Sequence, residues 1–156
     1  MPELQEEFRF KGTSEHTVDD KGRVFIPSKM KDILGPRFTL SKSFDKCLEI
    51  HTDEGWRYKI ADMAKNRETT ISNLQRFVGA NAEDVVFDKQ GRILIPLRLR
   101  EYAGIKKEVV IVGAITHAEI WDKEEWQKME SECANPDKAK KEMDEMYKRV
   151  NAQANV

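Results

Sequence analysis

Val18-Asp-Asp-Lys-Gly-Arg-Val-Phe-Ile-Pro27 and Phe87-Asp-Lys-Gln-Gly-Arg-Ile-Leu-Ile-Pro96 carry one pattern written twice. Asp19, Gly22, Arg23, Ile26 and Pro27 recur as Asp88, Gly91, Arg92, Ile95 and Pro96 at a constant offset of 69 (88 − 19 = 92 − 23). Repetition at that spacing implies two copies of one supersecondary unit, related by approximate symmetry within a single chain. Each copy fixes an arginine at the same point of a tight turn. Two such turns side by side make a paired, outward-pointing cationic site.

The residues around the pattern extend the duplication. In the first copy, His16–Val18 and Arg23–Ile26 are strand-forming runs joined by Asp19-Asp-Lys-Gly22. Asp at the head of such a turn accepts hydrogen bonds from the turn's own backbone, and Gly at its fourth position tolerates positive φ. Pro27 stops the strand and is suited to begin a short helix, Ser28–Leu34, which Gly35-Pro36 ends. Strands Arg37–Leu40 and Cys47–His51 follow, then a helix capped by Thr52 or Asp53 with Trp56, Ile60 and Met63 on one side. The second copy repeats this order: Glu83–Phe87, Arg92–Ile95, a helix Leu97–Ala103 closed by Gly104, an apolar strand Val109–Val112, and Glu119–Trp121. Asp122-Lys-Glu-Glu125 then forms a capping pattern ahead of Trp126. Glu49 and Trp56 answer to Glu119 and Trp126, an offset of 70 that one inserted residue in the second hairpin explains.

Between the copies, Thr70 is placed to cap a helix bearing Ile71, Leu74, Phe77 and Val78. Beyond Asn135-Pro136, Ala139, Met143, Met146 and Val150 recur at helical spacing among charges. That tail is too polar to be a stable helix by itself, so it docks on a neighbour or frays. The expected organisation is α+β: residues 8–65 and 83–130 as the two repeats, 66–82 as a connecting helix and 131–156 as a helical tail.

Charge is 35% of the composition and apolar residues 39%, with a net charge of −1. No global cationic field draws such a chain to a polyanion. The repeats are nonetheless mildly basic: His16–Leu34 carries +4 − 3 = +1 and Val85–Ala103 carries +4 − 2 = +2. Nucleic-acid binding would come from focused loops and avidity. Cys47 and Cys133 lie in no metal or redox pattern and read as reduced cytosolic thiols, the first buried in a strand. The acidic start and the lack of a long apolar run speak against a signal peptide and a membrane span.

Alternation along the strands puts Val24, Ile26, Ile93 and Ile95 inward and Arg23, Phe25, Arg92 and Leu94 outward. Arg23 and Arg92 are then placed to reach a phosphate or a guanine edge. The plainer reading, compatible with it, is that Asp19 and Asp88 pair with those arginines to hold the turns. Lys21, Lys89, Lys29, Arg98, Lys31 and Arg100 are candidates for phosphate contacts that position a protein without specifying sequence, and Lys11 flanks the first strand. His16, His51 and His117 have no nucleophile or carboxylate partner by motif, and neither a phosphate loop nor a metal pattern is present, so no catalytic residue, metal or cofactor is expected.

Asp19-Asp-Lys-Gly-Arg23 and Asp88-Lys-Gln-Gly-Arg92, with Phe10-Lys-Gly12 and Glu119-Ile-Trp-Asp122, resemble the MraZ family and its duplicated Asp-x-x-x-Arg motif over about residues 8 to 130. The resemblance implies two SpoVT-AbrB-type swapped-hairpin units with pseudo-twofold symmetry. It implies a cytoplasmic, nucleoid-associated regulator that binds double-stranded promoter DNA of the bacterial division and cell-wall gene cluster. It further implies a homo-oligomeric ring, octamer or larger, engaging repeated promoter boxes. By position, Arg23 and Arg92 would be the main DNA contacts, assisted by Lys21 and Lys11, while Asp19, Gly22, Asp88 and Gly91 shape the turns. Gln90 stands where the first copy has Lys21, so unequal halves are expected. The alternative is a non-catalytic protein-binding adaptor whose active surface is Phe25 and Leu94.

Overall fold

The computed structural model describes residues 9–65 and 72–155. The first copy comprises β1 (Thr13–Thr17), β2 (Arg23–Phe25), α1 (Ser28–Leu34), β3 (Arg37–Lys42), β4 (Leu48–Thr52) and α2 (Asp53–Lys65). After α3 (Ser72–Ala80), the second comprises β5 (Ala82–Val86), β6 (Arg92–Leu94), α4 (Leu97–Tyr102), β7 (Glu108–Gly113), β8 (Ala118–Asp122) and α5 (Lys123–Cys133), and α6 (Pro136–Ala154) follows. The Thr70 cap and Ile71 of the expected connecting helix lie outside the described residues.

The fold is α+β, and its strands pair across the copies. A six-stranded antiparallel sheet runs in the order β1-β7-β8-β4-β3-β5, and β2 pairs with β6 in a separate ribbon. Each copy thus lends its first strand to the other: β1 lies on β7, with Thr13 opposite Val112, and β5 lies on β3, with Val86 opposite Arg37. Val24 faces Ile93 in the ribbon and Glu49 faces Glu119 in the large sheet. Both pairs join equivalent positions (93 − 24 = 69; 119 − 49 = 70), so the pseudo-twofold axis passes through both.

One inserted residue does not account for the change of offset. The offset from β3 to β7 is 71 (108 − 37), and from β4 to β8 it is 70 (118 − 48). Two residues are gained between Gly104 and β7, and one is lost because the β7–β8 turn has residues 114–117 where the β3–β4 turn has 43–47. The single net residue conceals two compensating changes.

Local chemistry matches the elements it forms. Pro27 and Pro96 sit just outside α1 and α4 at the N-cap, one place earlier than a first helical residue. Their extended backbone (ψ 138° and 145°) carries the chain from ribbon to helix. Thr52 Oγ1 accepts the Gly55 N–H at 2.9 Å and caps α2. The core lies between one face of the large sheet and the ribbon. Phe38, Leu40, Leu48, Ile50, Val109, Ile111, Ala118 and Ile120 face Val24, Ile26, Ile93 and Ile95, with Met30, Leu34 and Leu99 from the short helices. Since β3, β4, β7 and β8 are buried on both faces, their opposite face also holds enclosed side chains, several of them polar.

The chain divides into two compact units, Met1–Lys123 and Glu124–Val156. The second is helical. Asn135 Oδ1 accepts the N–H groups of Asp137 and Lys138 at 3.0 and 3.4 Å, which starts α6 firmly, with Pro136 at its head. The tail, expected to dock on a neighbour or fray, forms one capped helix of 19 residues, with Met143, Met146, Tyr147 and Val150 each about half exposed. Among the described residues, no helix is long and apolar enough to cross a membrane.

Candidate nucleic-acid interface

The two turns are built alike, atom for atom. In the first, the Asp19 N–H donates to the Arg23 carbonyl and the Gly22 N–H to the Asp19 carbonyl, both at 2.9 Å. Asp19 Oδ1 accepts the N–H groups of Lys21 (3.0 Å) and Arg23 (2.9 Å), leaving Oδ2 to accept Arg23 Nε at 2.6 Å. In the second, Asp88 Oδ1 accepts from the Gln90 and Arg92 N–H groups and Oδ2 from Arg92 Nε, each at 2.9 Å. One carboxylate oxygen closes the turn while the other aims the guanidinium. The turn-holding and arginine-orienting roles are thus performed by the same side chain.

That arrangement requires a charged aspartate. The Arg23 and Arg92 backbone N–H groups hold the Asp19 and Asp88 carboxyls below the usual carboxylate range against the opposing effect of burial, and the guanidiniums add to the lowering. Both turns also need glycine: φ is +93° at Gly22 and +84° at Gly91. Gly22 is pressed on the second copy, its carbonyl accepting the Ile95 N–H at 2.8 Å.

Pairing of β2 with β6 puts the arginines on one ribbon, with Arg23 opposite Leu94 and Phe25 opposite Arg92. Phe25 and Leu94 are 51% and 55% exposed, so the outward face is a cross of two cations and two apolar side chains. The cross is lopsided. The Arg92 guanidinium lies 5.9 Å from the centre of the Phe25 ring and within 3.8 Å of Asp19, in addition to its own Asp88. Leu94 offers Arg23 no such ring.

The remaining candidate cations are dispersed. Lys21 and Lys89 stand exposed on the turns, and Lys29 is exposed on α1. Arg98, its counterpart on α4, turns toward Glu83 Oε1 and the Ala80 carbonyl at 3.4 and 3.3 Å. Arg100 is engaged behind the first turn: its Nε donates to the Ile95 carbonyl at 3.0 Å, and it occupies the space a side chain at Gly22 would need. Lys31 backs Gly91 in the same way and lies 5.2 Å from the Phe87 ring. Lys11 precedes β1 at the end remote from Asp19, beside Gly113. At about 3.3 Å per extended residue, it is some 20–26 Å from the turns and is not brought to them.

A second cluster gives no warning in the sequence. Glu49, His51 and His117 come together on the sheet face opposite the core, where β4 lies beside β8. His51 Nε2 is 2.8 Å from Glu49 Oε1, Lys59 Nζ from α2 is 2.6 Å from the same oxygen, and His117 Nε2 is 3.1 Å from Glu119 Oε2. Burial raises the Glu49 pKa, but the hydrogen bonds from His51 and Lys59 outweigh it and bring it to about 2. Burial lowers that of His51 against the pull of Glu49. A neutral His51 donating to ionised Glu49 satisfies both, with Lys59 supplying the countercharge. Sequence spacing missed the group because its members sit 66 residues apart (117 − 51) and meet only through strand pairing.

Two interleaved copies, clasped on their common axis by paired Asp-Arg turns, define a tandem swapped-hairpin protein. The MraZ protein family matches residues 9–77 and again 78–149. The chain is 46% identical over 120 residues to the transcriptional regulator MraZ of Acetivibrio thermocellus, covering 76% of this chain and 84% of that protein. It is 41% identical to the proteins of the same name from Lachnoclostridium phytofermentans and Caldicellulosiruptor saccharolyticus, covering 76% and 86% of this chain and 84% and 96% of theirs. The chain belongs to the MraZ family, whose named members here are regulators of transcription and not enzymes.

Proposed function

We propose that the chain regulates transcription by binding double-stranded promoter DNA through the β2–β6 ribbon. The observation that carries this reading is the pair of Asp-oriented arginines, Arg23 and Arg92, set side by side across the pseudo-twofold axis on an outward face. A two-stranded ribbon fits the major groove, where an arginine can take the two acceptors of a guanine edge and an apolar side chain the thymine methyl. Lys21, Lys89 and Lys29 supply phosphate contacts that set register. Arg98 and Lys11 stand further out and contribute less.

With a net charge of −1, one ribbon binds feebly, so affinity comes from repetition. The protein assembles as a homo-oligomeric ring in the cytoplasm, associates with the nucleoid, and presents successive ribbons to successive promoter boxes. Retardation of DNA from upstream of the chain's own gene tests this, with Arg23→Ala expected to abolish sequence-dependent binding. A folded Arg23→Ala variant that retards the DNA normally would remove the site. Light scattering that gave a monomer at working concentration would remove the ring.

A second reading rests on the exposure of Phe25 and Leu94: a non-catalytic adaptor that docks a protein on this ribbon. It predicts no sequence-dependent retardation at any salt. The DNA reading predicts affinity falling with log salt at a slope of about 0.9 per phosphate contacted.

A further inference from the structure

We propose that Glu49, His51 and His117 form a binding site for a divalent transition-metal ion of the zinc class, bridging the two repeats where β4 meets β8. The donor set is two imidazoles and a carboxylate, the combination that takes zinc and its neighbours in preference to calcium or magnesium. One potential ligand atom from each residue lies within 4.8 Å of the others. Ligands around a tetrahedral zinc stand about 3.3 Å apart, and small side-chain rotations cover that difference. His51 and His117 already lie face to face, ring centres 5.0 Å apart and planes 23° from parallel.

Three further features favour a ligand over a self-sufficient network. Glu119, across the axis from Glu49, is 3.1 Å from His117 Nε2 and is itself held by the Trp121 indole N–H at 3.0 Å. A carboxylate gripping a ligating imidazole from behind is the usual support of such sites. Ser41, paired with Glu49 across β3 and β4, has a buried Oγ without a hydrogen-bond partner, next to the cluster on the same face. An orphaned hydroxyl of this kind is satisfied by a water carried in by a cation. Finally, a cavity of about 330 Å³, bordered by Phe44, Tyr58 and Thr116, opens onto Glu49, His51 and His117 and gives an ion a way in.

With Glu119 on Nε2, a metal takes His117 Nδ1, from which the Thr116 hydroxyl at 2.9 Å turns away, and the charged group that must yield is Lys59. Its ammonium occupies Glu49 Oε1, and its side chain is 24% exposed, so it can swing into solvent when a dication takes its place. Binding is then an exchange of one cation for another at Glu49.

Cobalt(II) titration of the tag-free full chain, in a Cys133→Ser background that removes the exposed thiol, tests the assignment. The expected result is the visible band of a four-coordinate cobalt ion saturating at one ion per chain and displaced by zinc. Glu119→Gln is expected to weaken binding about 10- to 100-fold, the effect of losing a supporting carboxylate. His117→Ala, at a side chain 18% exposed just ahead of β8, is expected to abolish the band while leaving the far-ultraviolet circular dichroism unchanged. Lys59→Met is expected to tighten binding. A wild-type chain without the band overturns the proposal, as does a band that survives His117→Ala or an affinity that falls in Lys59→Met. Gel retardation plays no part in these readouts, so their outcome is independent of the DNA-binding reading.

Discussion

Arg92 Nη1 lies 3.8 Å from Asp19 Oδ2, so the arginine of the second repeat faces a carboxylate of the first as well as Asp88, 2.9 Å from its Nε. Its side chain is 20% exposed against 35% for Arg23. Duplication made the two arginines equivalent, and their neighbours have since made them unequal.

Arg23 is therefore the freer of the two to leave its aspartate for a base or phosphate. We expect Arg23→Ala to cost more DNA affinity than Arg92→Ala, with the loss at Arg23 about 1–3 kcal/mol per occupied ribbon if it reads a guanine. Fluorescence anisotropy on one labelled promoter fragment at fixed salt ranks the two variants. Equal losses would mean that Asp19 and Phe25 do not restrain Arg92 in the complex.

Gly22→Ala should destabilise the fold more than Gly12→Ala, although both positions have φ near +90°. The left-handed backbone costs an alanine about 1–3 kcal/mol at either place. At Gly22 the new Cβ would also stand 2.8 Å from the Ile95 carbonyl oxygen and from Arg100 Nε, whereas at Gly12 it would meet nothing within 4 Å. Urea midpoints of the two variants check the order. The same comparison probes the clasp, because Ile95 belongs to the other copy.

Much of this was legible in the sequence. The Asp-x-x-x-Arg turns, the short helices between proline and glycine, and the inward Val24, Ile26, Ile93 and Ile95 are local features, governed by turn chemistry and strand alternation. Two kinds of fact were not legible. A gain of two residues before β7 and a loss of one in the β7–β8 turn leave one net residue, so the offset at Glu119 and Trp126 hid them. The Glu49-His51-His117 cluster and the backing of Gly22 by Arg100 depend on which strands and helices meet, and spacing along the chain does not encode that. Arg100 read as a surface cation because its partner, the Ile95 carbonyl, is a backbone atom without a sequence signature.

Acid should destabilise the protein in two stages. Burial keeps His16 and His51 less easily protonated in the folded chain than their ordinary value of 6.5, so they contribute stability that is lost as the pH falls below that value. Glu49 falls from 4.5 to about 2 on folding, so its contribution is full above about pH 4.5 and disappears as the pH drops toward 2, a difference worth about 3 kcal/mol. Urea midpoints taken across this range should decline in both windows. Glu49→Gln should flatten the lower decline and deepen the upper one, because it removes the carboxylate that favours protonated His51.

Cys47 and Cys133 should react at very different rates with a thiol reagent. Cys47 is fully buried, though as the last residue of the β3–β4 turn and not in the strand the sequence suggests, and burial pushes its thiol far up, with the Glu119 and Glu49 carboxylates adding to the effect. The thiolate is the reactive form, so this thiol is protected both by access and by chemistry. Cys133, exposed at the end of α5, has no such enclosure. We expect one thiol per chain to be labelled quickly in native conditions and the second only at the rate at which the β3–β4 turn opens, so that labelling of Cys47 measures the local stability of that hairpin. Native labelling of both thiols at one rate would place Cys47 outside the buried interior.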